Sequence, residues 1–273
     1  MDDSYHDAVS RRELLLLSSG LAVAAASRAR IAEAQAGAGT TTKSKTICVL
    51  GASGNVGNAV VHELIAAGHR VAAVSRSAKK LDSIRTALAN TNRIEIIEGD
   101  VSSDRLAAEL RENIQARIGE PDAIVASLSA PEADKPMRML DTATDKIRGA
   151  FDTNFFTHVA AAHALIPALT RGGVYVGING GLADAVIPNM GALSMTQSAL
   201  RSLYSVLAQE TQDAKARIRL LEIHGLVATE HRPAQSGGQW ITDQQVRERV
   251  AEIIRRPEAL PGPILAIKAE KYR

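Results

Sequence analysis

The chain predicts an α/β protein: a doubly wound parallel sheet of about seven strands, with helices on both faces, in a single domain. Three observations predict it. After Lys45, short apolar runs alternate regularly with longer runs of helical character. The apolar runs are continuous, as expected of strands buried on both faces. The first of them, Thr46-Ile-Cys-Val-Leu50, feeds a glycine-rich turn, Gly51-Ala-Ser-Gly54-Asn-Val-Gly57, that opens a helix-like segment.

The elements follow in order. Strand Lys45–Leu50 leads through the glycine turn to helix Val56–Ala67. Strand Arg70–Ser75 precedes helix Ala78–Ala89, and strand Arg93–Ile97 precedes helix Ser103–Ile118. Pro121 punctuates the start of strand Ala123–Ala126. The long helix Thr142–Leu169 carries Ile147, Phe151, Phe155, Val159, Ala162 and Ile166 at helical spacing. Gly172-Gly173 introduces strand Val174–Ile178, followed by helix Asn189–Asp213 and strand Ile218–Ile223. Helix Asp243–Arg255 and strand Pro263–Ile267, introduced by Pro261-Gly262-Pro263, complete the set. No linker or internal repeat interrupts residues 45–273, which are expected to form one domain. Right-handed crossovers place a ligand crevice at the carboxyl ends of the strands.

Composition narrows the function classes. Of 273 residues, 45% are hydrophobic and 23% charged, enough apolar material for a globular core. Aromatic residues are only 3%, so Ala, Val, Leu and Ile must build that core. A net charge of +2 without aromatic-basic interleaving gives no case for nucleic acid. The single cysteine, Cys48, excludes an internal disulfide and a thiolate metal cage. No His/Asp/Glu cluster has ligand spacing, so no metal is expected.

The glycine turn carries the functional expectation. Its order, strand then glycine turn then helix, is the mouth of a dinucleotide-binding βαβ unit of Rossmann type. Gly51 allows the tight turn, Gly54 admits a pyrophosphate close to the backbone, and Gly57 lets helix pack on strand. Ser53, Asn55 and Val56 complete the cradle, with the diphosphate at the helix N-terminus. A tight strand-to-helix turn without a ligand is the alternative. The second strand ends in Ser75-Arg76, with Lys79 and Lys80 behind, where an NAD-selective site would carry an acid. A guanidinium paired with phosphate, assisted by Ser75, favours NADP(H) over NAD(H). A solvated basic helix start is the alternative. Asp100 and Val101 follow the third strand, where Asp100 can accept from an adenine amine or serve as a turn or cap residue.

Together, Gly51–Gly57, Gly99-Asp100-Val101, Phe151-Asp-Thr-Asn154, Gly172–Ile178 and His224-Gly225-Leu-Val-Ala-Thr229 resemble the short-chain dehydrogenase/reductase family, in one of its extended or atypical branches. The resemblance runs from Lys45 to Ile267. It implies an NAD(P)-dependent oxidoreductase acting on a small carbonyl or alcohol. It sets Ser127 beside the adenine ribose and Thr229 at the nicotinamide carboxamide. His224 replaces the family's proline before Gly225. The resemblance also implies a catalytic serine, tyrosine and lysine, and this chain departs from it there. Gly180 falls on the serine position, Leu193 on the tyrosine and Gln197 on the lysine. Asn154 matches the family's helix asparagine, or is simply bonded to nearby backbone. Leucine has no exchangeable proton, so the usual chemistry is excluded on this alignment. Gln197 can still bond the ribose hydroxyls. Histidine is the residue type suited to proton transfer near neutrality, which makes His224 a candidate acid, and Asn179 could orient a carbonyl. Ser194 adjoins the lost tyrosine, while His158 and His163 are read as packing or surface residues. Trp240 stands in the segment Thr229–Ile241, which in the family folds over substrate. A non-catalytic dinucleotide sensor or partner-binding protein is the second reading.

Residues 1–36 stand apart. Arg11-Arg12 precede the apolar run Leu14–Ala26, and Ala34-Gln35-Ala36 supplies small residues for cleavage. This resembles a twin-arginine export signal, implying a periplasmic or exported protein. The run is too short to span a bilayer, so no stable membrane span is expected after processing. A disordered basic N-terminus or an uncleaved anchor is the alternative. Residues 37–44 read as a flexible lead-in. The two long helices resemble the family's dimer-forming pair, so a homo-oligomer is also expected.

Overall fold

The structure is a computed structural model that describes residues 43–89, 91–129, 137–211, 216–229, 233–235 and 240–269. The chain separates into two units, Met1–Lys43 and Ser44–Arg273. The export-signal segment 1–36 and residues 37–42 of the lead-in lie outside the described residues, as do Gly237 and Gly238.

The second unit contains the expected doubly wound sheet. Its strands are β1 (Thr46–Leu50), β2 (Arg70–Ser75), β3 (Ile94–Glu98), β4 (Ala123–Ala126), β5 (Gly173–Gly180), β6 (Ala216–His224) and β9 (Ile264–Lys268). They lie side by side in the order β3-β2-β1-β4-β5-β6-β9, and every pairing is parallel. The order reverses between β1 and β4, which opens a crevice at their carboxyl ends. Two three-residue strands escaped the sequence reading. These are β7 (Leu226–Ala228) and β8 (Trp240–Thr242), which pair with each other outside the main sheet. They are too short to carry a period.

Among the described residues the α-helices are α1 (Asn55–Ala66), α2 (Ala78–Ala87), α3 (Asp104–Ile118), α4 (Thr144–Phe151), α5 (Thr157–Leu165), α6 (Gly191–Glu210) and α7 (Asp243–Arg255). Successive strand residues point to opposite faces and so feed two cores. Ile47 and Val49 of β1 join one core with Val60 and Leu64 of α1, Leu81 of α2 and Val250 of α7. Cys48 and Leu50 join the other with Leu110 of α3, Leu165 of α5 and Tyr204 of α6. Two-sided burial is why these strands read as unbroken apolar runs.

Three boundaries differ from expectation for local reasons. The predicted helix 142–169 is not one α-helix. A five-residue π turn, Asp152–Phe156, separates α4 from α5, and a 3₁₀ turn at Ile166–Ala168 with Pro167 ends it. Proline lacks the N–H that would continue the ladder. The helix expected from Asn189 begins at Gly191, because Asn189 sits at φ 69°. Ser103 is the N-cap of α3 rather than its first residue, its hydroxyl accepting from Leu106 N–H.

Candidate active-site cleft

A cleft of about 1960 Å³ opens at the carboxyl ends of the strands. Gly51 follows β1 and is held at φ 71°. A Cβ there would lie 2.0 Å from the Ser127 carbonyl oxygen at the end of β4. The two strands at the order reversal thus meet without a side chain between them. Gly57 is equally constrained, since its Cβ would lie 2.2 Å from the Gly51 oxygen. Gly57 packs α1 against the turn and does not itself line the cleft. Helix α1 begins without a side-chain cap, as do α4 and α6, whereas α2, α3 and α7 have one. The first N–H groups of α1 therefore face the cleft unspent, beside Gly54, Asn55 and Val56. This uncapped, glycine-floored cradle fits a nucleotide diphosphate.

The expected nucleotide residues gather around it. Ser53 and Ser75 hydroxyls lie 2.6 Å apart, tying the turn to the end of β2. Arg76 is exposed at the rim with no partner among the described residues. Asp100 lines the cleft but is bonded locally, accepting from Ser102 N–H at 2.9 Å and lying 3.0 Å from the Ser102 hydroxyl. Val101, Ser127 and Gln197 also line the cleft. Thr229 does not; it is half-buried just beyond β7, which leaves the main sheet to pair with β8.

The three candidate catalytic residues all reach the cleft, but two of their amides serve the fold. Asn154 is 4% exposed in the π turn, its Nδ2 donating to the Ala150 carbonyl at 3.1 Å and to Thr153 Oγ1 at 3.2 Å. Asn179 Nδ2 donates to the Gln197 carbonyl at 3.0 Å and faces Glu222 Oε1 at 3.4 Å. The amide hydrogens of Asn179, the residue expected to orient a carbonyl, are directed to α6 and Glu222. His224 ends β6 with its side chain 12% exposed and Nε2 3.6 Å from Glu222 Oε2. That Nε2 is buried without a hydrogen-bond partner.

Behind His224 lies a charged cluster that sequence spacing did not reveal. Glu222 is 1% exposed and receives Arg201 Nε at 2.9 Å. Arg201 also pairs with Asp184, its Nη2 donating at 2.7 Å. This bonding raises the Arg201 pKa and lowers that of Asp184. Asp184, Glu222 and His224 place ligand-type atoms within 4.8 Å of one another. Spacing along the chain gave no ligand pattern, and the fold brings Asp184 to Glu222 and His224 from a separate segment. The guanidinium of Arg201 already fills the position between the two carboxylates. One signal was legible: Glu222 follows Leu220-Leu221 and precedes Ile223 near the end of a strand run, and a charge buried there demands a partner.

His158 is fully buried. Its Nε2 bonds the Leu128 carbonyl at 3.1 Å, and its Nδ1 lies 2.9 Å from the Tyr204 hydroxyl. Desolvation lowers its pKa to about 4, against the weaker upward pull of the Leu128 bond. A neutral ring donating from Nε2 accepts at Nδ1 from Tyr204. His163 is exposed beside Asp104, at 3.4 Å. Both histidines therefore stand where packing and surface roles were expected.

The profile of the short chain dehydrogenase family matches residues 45–239, most of the chain and the whole cradle. The chain belongs to the short-chain dehydrogenase/reductase family. Among relatives of this short-chain dehydrogenase/reductase, the NADPH-dependent pterin aldehyde reductase of Arabidopsis thaliana is 23% identical over 179 residues, covering 65% of this chain and 73% of its own. The farnesol dehydrogenase of Aedes aegypti is 22% identical over 245 residues, covering 84% and 98%. A short-chain dehydrogenase/reductase from Serratia marcescens superposes with a TM-score of 0.74 at 19% identity, covering 84% of this chain and 98% of its own. An alcohol dehydrogenase from Thermococcus sibiricus, solved with 5-hydroxy-NADP, gives 0.71 at 21% identity, covering 85% and 99%. Membership in the short-chain dehydrogenase/reductase family implies an NAD(P) cofactor. Among the described residues, no helix is long and apolar enough to cross a membrane.

Proposed function

We propose that this chain is an NADP-preferring oxidoreductase of a carbonyl or alcohol substrate that works without the family's serine, tyrosine and lysine. The observation that carries the cofactor preference is Arg76, exposed just after β2 beside the cradle and without a partner among the described residues. Ser75 is bonded to Ser53, so it supports the turn while Arg76 supplies the charge. The Arabidopsis relative's name, which specifies NADPH and an aldehyde, supports the same reading. Gly51, Gly54 and the first turn of α1 would hold the diphosphate, with Ser127 beside the adenine ribose. When bound, the nicotinamide supplies or takes a hydride. The protein's part is to hold the substrate oxygen and to exchange its proton.

Leu193 lines the cleft and has no proton to give. His224 is the proposed acid, held against Glu222 at the cleft's edge. The absence of an exchangeable proton at Leu193 also favours a second reading, a dinucleotide-binding sensor without turnover. Residues 1–36 are proposed to direct export by the twin-arginine route, which would carry a folded protein with nucleotide already bound.

The test is a titration of the purified protein with NADPH and NADH, read by the fluorescence of Trp240, which lines the cleft. NADPH is expected to bind more tightly, and Arg76→Asp to shift preference towards NADH. Unchanged selectivity in that variant would remove Arg76 from the argument. If NADPH is oxidised across a carbonyl panel, His224→Ala should abolish turnover while Ser194→Ala leaves it. Binding of NADPH with no turnover of any carbonyl would establish the sensor reading instead.

A further inference from the structure

We propose that the side-chain amide of Gln197 is the hydrogen-bond donor that anchors the oxygen of a neutral, apolar carbonyl ligand in this cleft. The inference deepens the oxidoreductase reading and rests on it for the role of the ligand. Its geometry starts at Gly180, the last residue of β5. A Cβ on Gly180 would lie 2.4 Å from Gln197 Nε2 and 2.6 Å from its Oε1. The carboxamide of Gln197 therefore fills the space that any side chain at 180 would claim. Its orientation is set by the backbone. Leu182 N–H donates to Oε1 at 2.8 Å, so the oxygen must face Leu182 and the NH₂ must face away. The Gln197 carbonyl is held by Asn179 at 3.0 Å, which fixes this turn of α6. Nε2 then has no partner among the described residues, and Gln197 lines the cleft.

The two neighbouring asparagine amides and the Ser194 hydroxyl are committed elsewhere, and His224 is the acid proposed above. Asn179 Nδ2 is spent on Gln197 and Glu222, and Asn154 Nδ2 on Ala150 and Thr153. The Ser194 hydroxyl donates to the Leu182 carbonyl at 2.8 Å. An acceptor entering here meets the Gln197 amide. The cleft also presents Leu182, Ile187, Met190, Leu193, Leu226 and Trp240. Asp184, His224 and Lys268 line the cleft as well, and a neutral donor set among these apolar side chains suits the oxygen of a ketone or aldehyde.

Two probes of the same shape separate the oxygen from the hydrocarbon: acetophenone, and α-methylstyrene, in which CH₂ replaces the carbonyl oxygen. Both are titrated by ligand-observed NMR, with and without saturating NADPH. Gln197→Glu keeps an acceptor for Leu182 N–H but removes the donor. Gln197→Met removes both at similar volume, and thermal melting checks that each variant folds. Wild type is expected to prefer acetophenone by about 3- to 10-fold, the range of one neutral hydrogen bond, and both variants to lose that preference. Equal affinity of wild type for the two probes would overturn the proposal. So would a preference that survives in both variants. A fall in NADPH affinity with the ketone preference intact would reassign the amide to the nucleotide, and the anchor would fail. Failure of wild type to bind NADPH or NADH, with the ketone preference still lost in both variants, would sink the oxidoreductase reading and leave the anchor standing.

Discussion

Gly51 combines two constraints, a φ of 71° and a Ser127 carbonyl oxygen 2.0 Å from where a Cβ would sit. The left-handed backbone costs a non-glycine residue about 1–2 kcal/mol, and the contact forces β1 and β4 apart. Gly51→Ala should therefore weaken NADPH binding by at least about tenfold, the factor for 1.4 kcal/mol, with the far-ultraviolet circular dichroism unchanged. Nucleotide titration of the variant checks this. Glu222 offers a second test. It is buried, and removing its charge leaves Arg201 with Asp184 as its remaining carboxylate. Glu222→Gln should cost about 3 kcal/mol, the lower end for breaking a buried pair, and lower the midpoint of urea unfolding. The residue types at the site were legible in the chain, because Gly51, Arg76 and His224 stand at strand ends that the apolar pattern locates, and Gln197 lies in the helix that follows β5. Their partners were not. Asn179, Glu222, Arg201 and Asp184 come from four separate segments, and nothing local along the chain specifies that they meet.

Strand β5 and helices α5 and α6 are locked together by one small residue. A Cβ on Gly177 would lie 2.2 Å from Cζ of Tyr204. Tyr204 in turn bonds His158, and His158 bonds the Leu128 carbonyl beyond β4. Gly177→Ala should push Tyr204 out of this chain of bonds and destabilise the fold by about 1–3 kcal/mol, as overpacking does. A lowered melting temperature would show it. Tyr204→Ala in the same background should relieve the clash, so that the two losses are not additive. Strands Arg70–Ser75 and Ala123–Ala126 coincide with their sequence expectation because both are bounded by turns and buried on two faces. The helix 142–169 was misread as continuous because hydrophobic spacing persists through the π turn at Asp152–Phe156. The turn matters to the site, since it places Asn154 in the cleft wall.

Across the whole fold, His158 couples stability to pH. Burial holds its folded-state pKa at about 4, below the ordinary 6.5. Between these values the unfolded chain binds a proton that the native state does not, so stability rises with pH. The contribution is complete above 6.5 and is lost as pH falls towards 4, at a cost of about 3 kcal/mol. Urea midpoints measured from pH 7 to 4 should fall accordingly. The slope should be shallower in His158→Gln, which has no group to titrate there. An identical slope in that variant would show that carboxylates alone govern the loss. The alternation of apolar runs and helical spacings already specified the doubly wound sheet, because each two-sided strand and each amphipathic helix must bury its apolar surface in this layered way. The glycine turn and Arg76 likewise pointed to a dinucleotide before any tertiary contact was known. The three-dimensional packing settled where the hydrogen bonds go. It bound Asn179 and Asn154 to the fold, paired Arg201 with two carboxylates, and left the Gln197 amide nitrogen without a partner among the described residues. Hydrogen-bond partners depend on distances between segments far apart in the chain, and only the closed sheet brings those segments within reach.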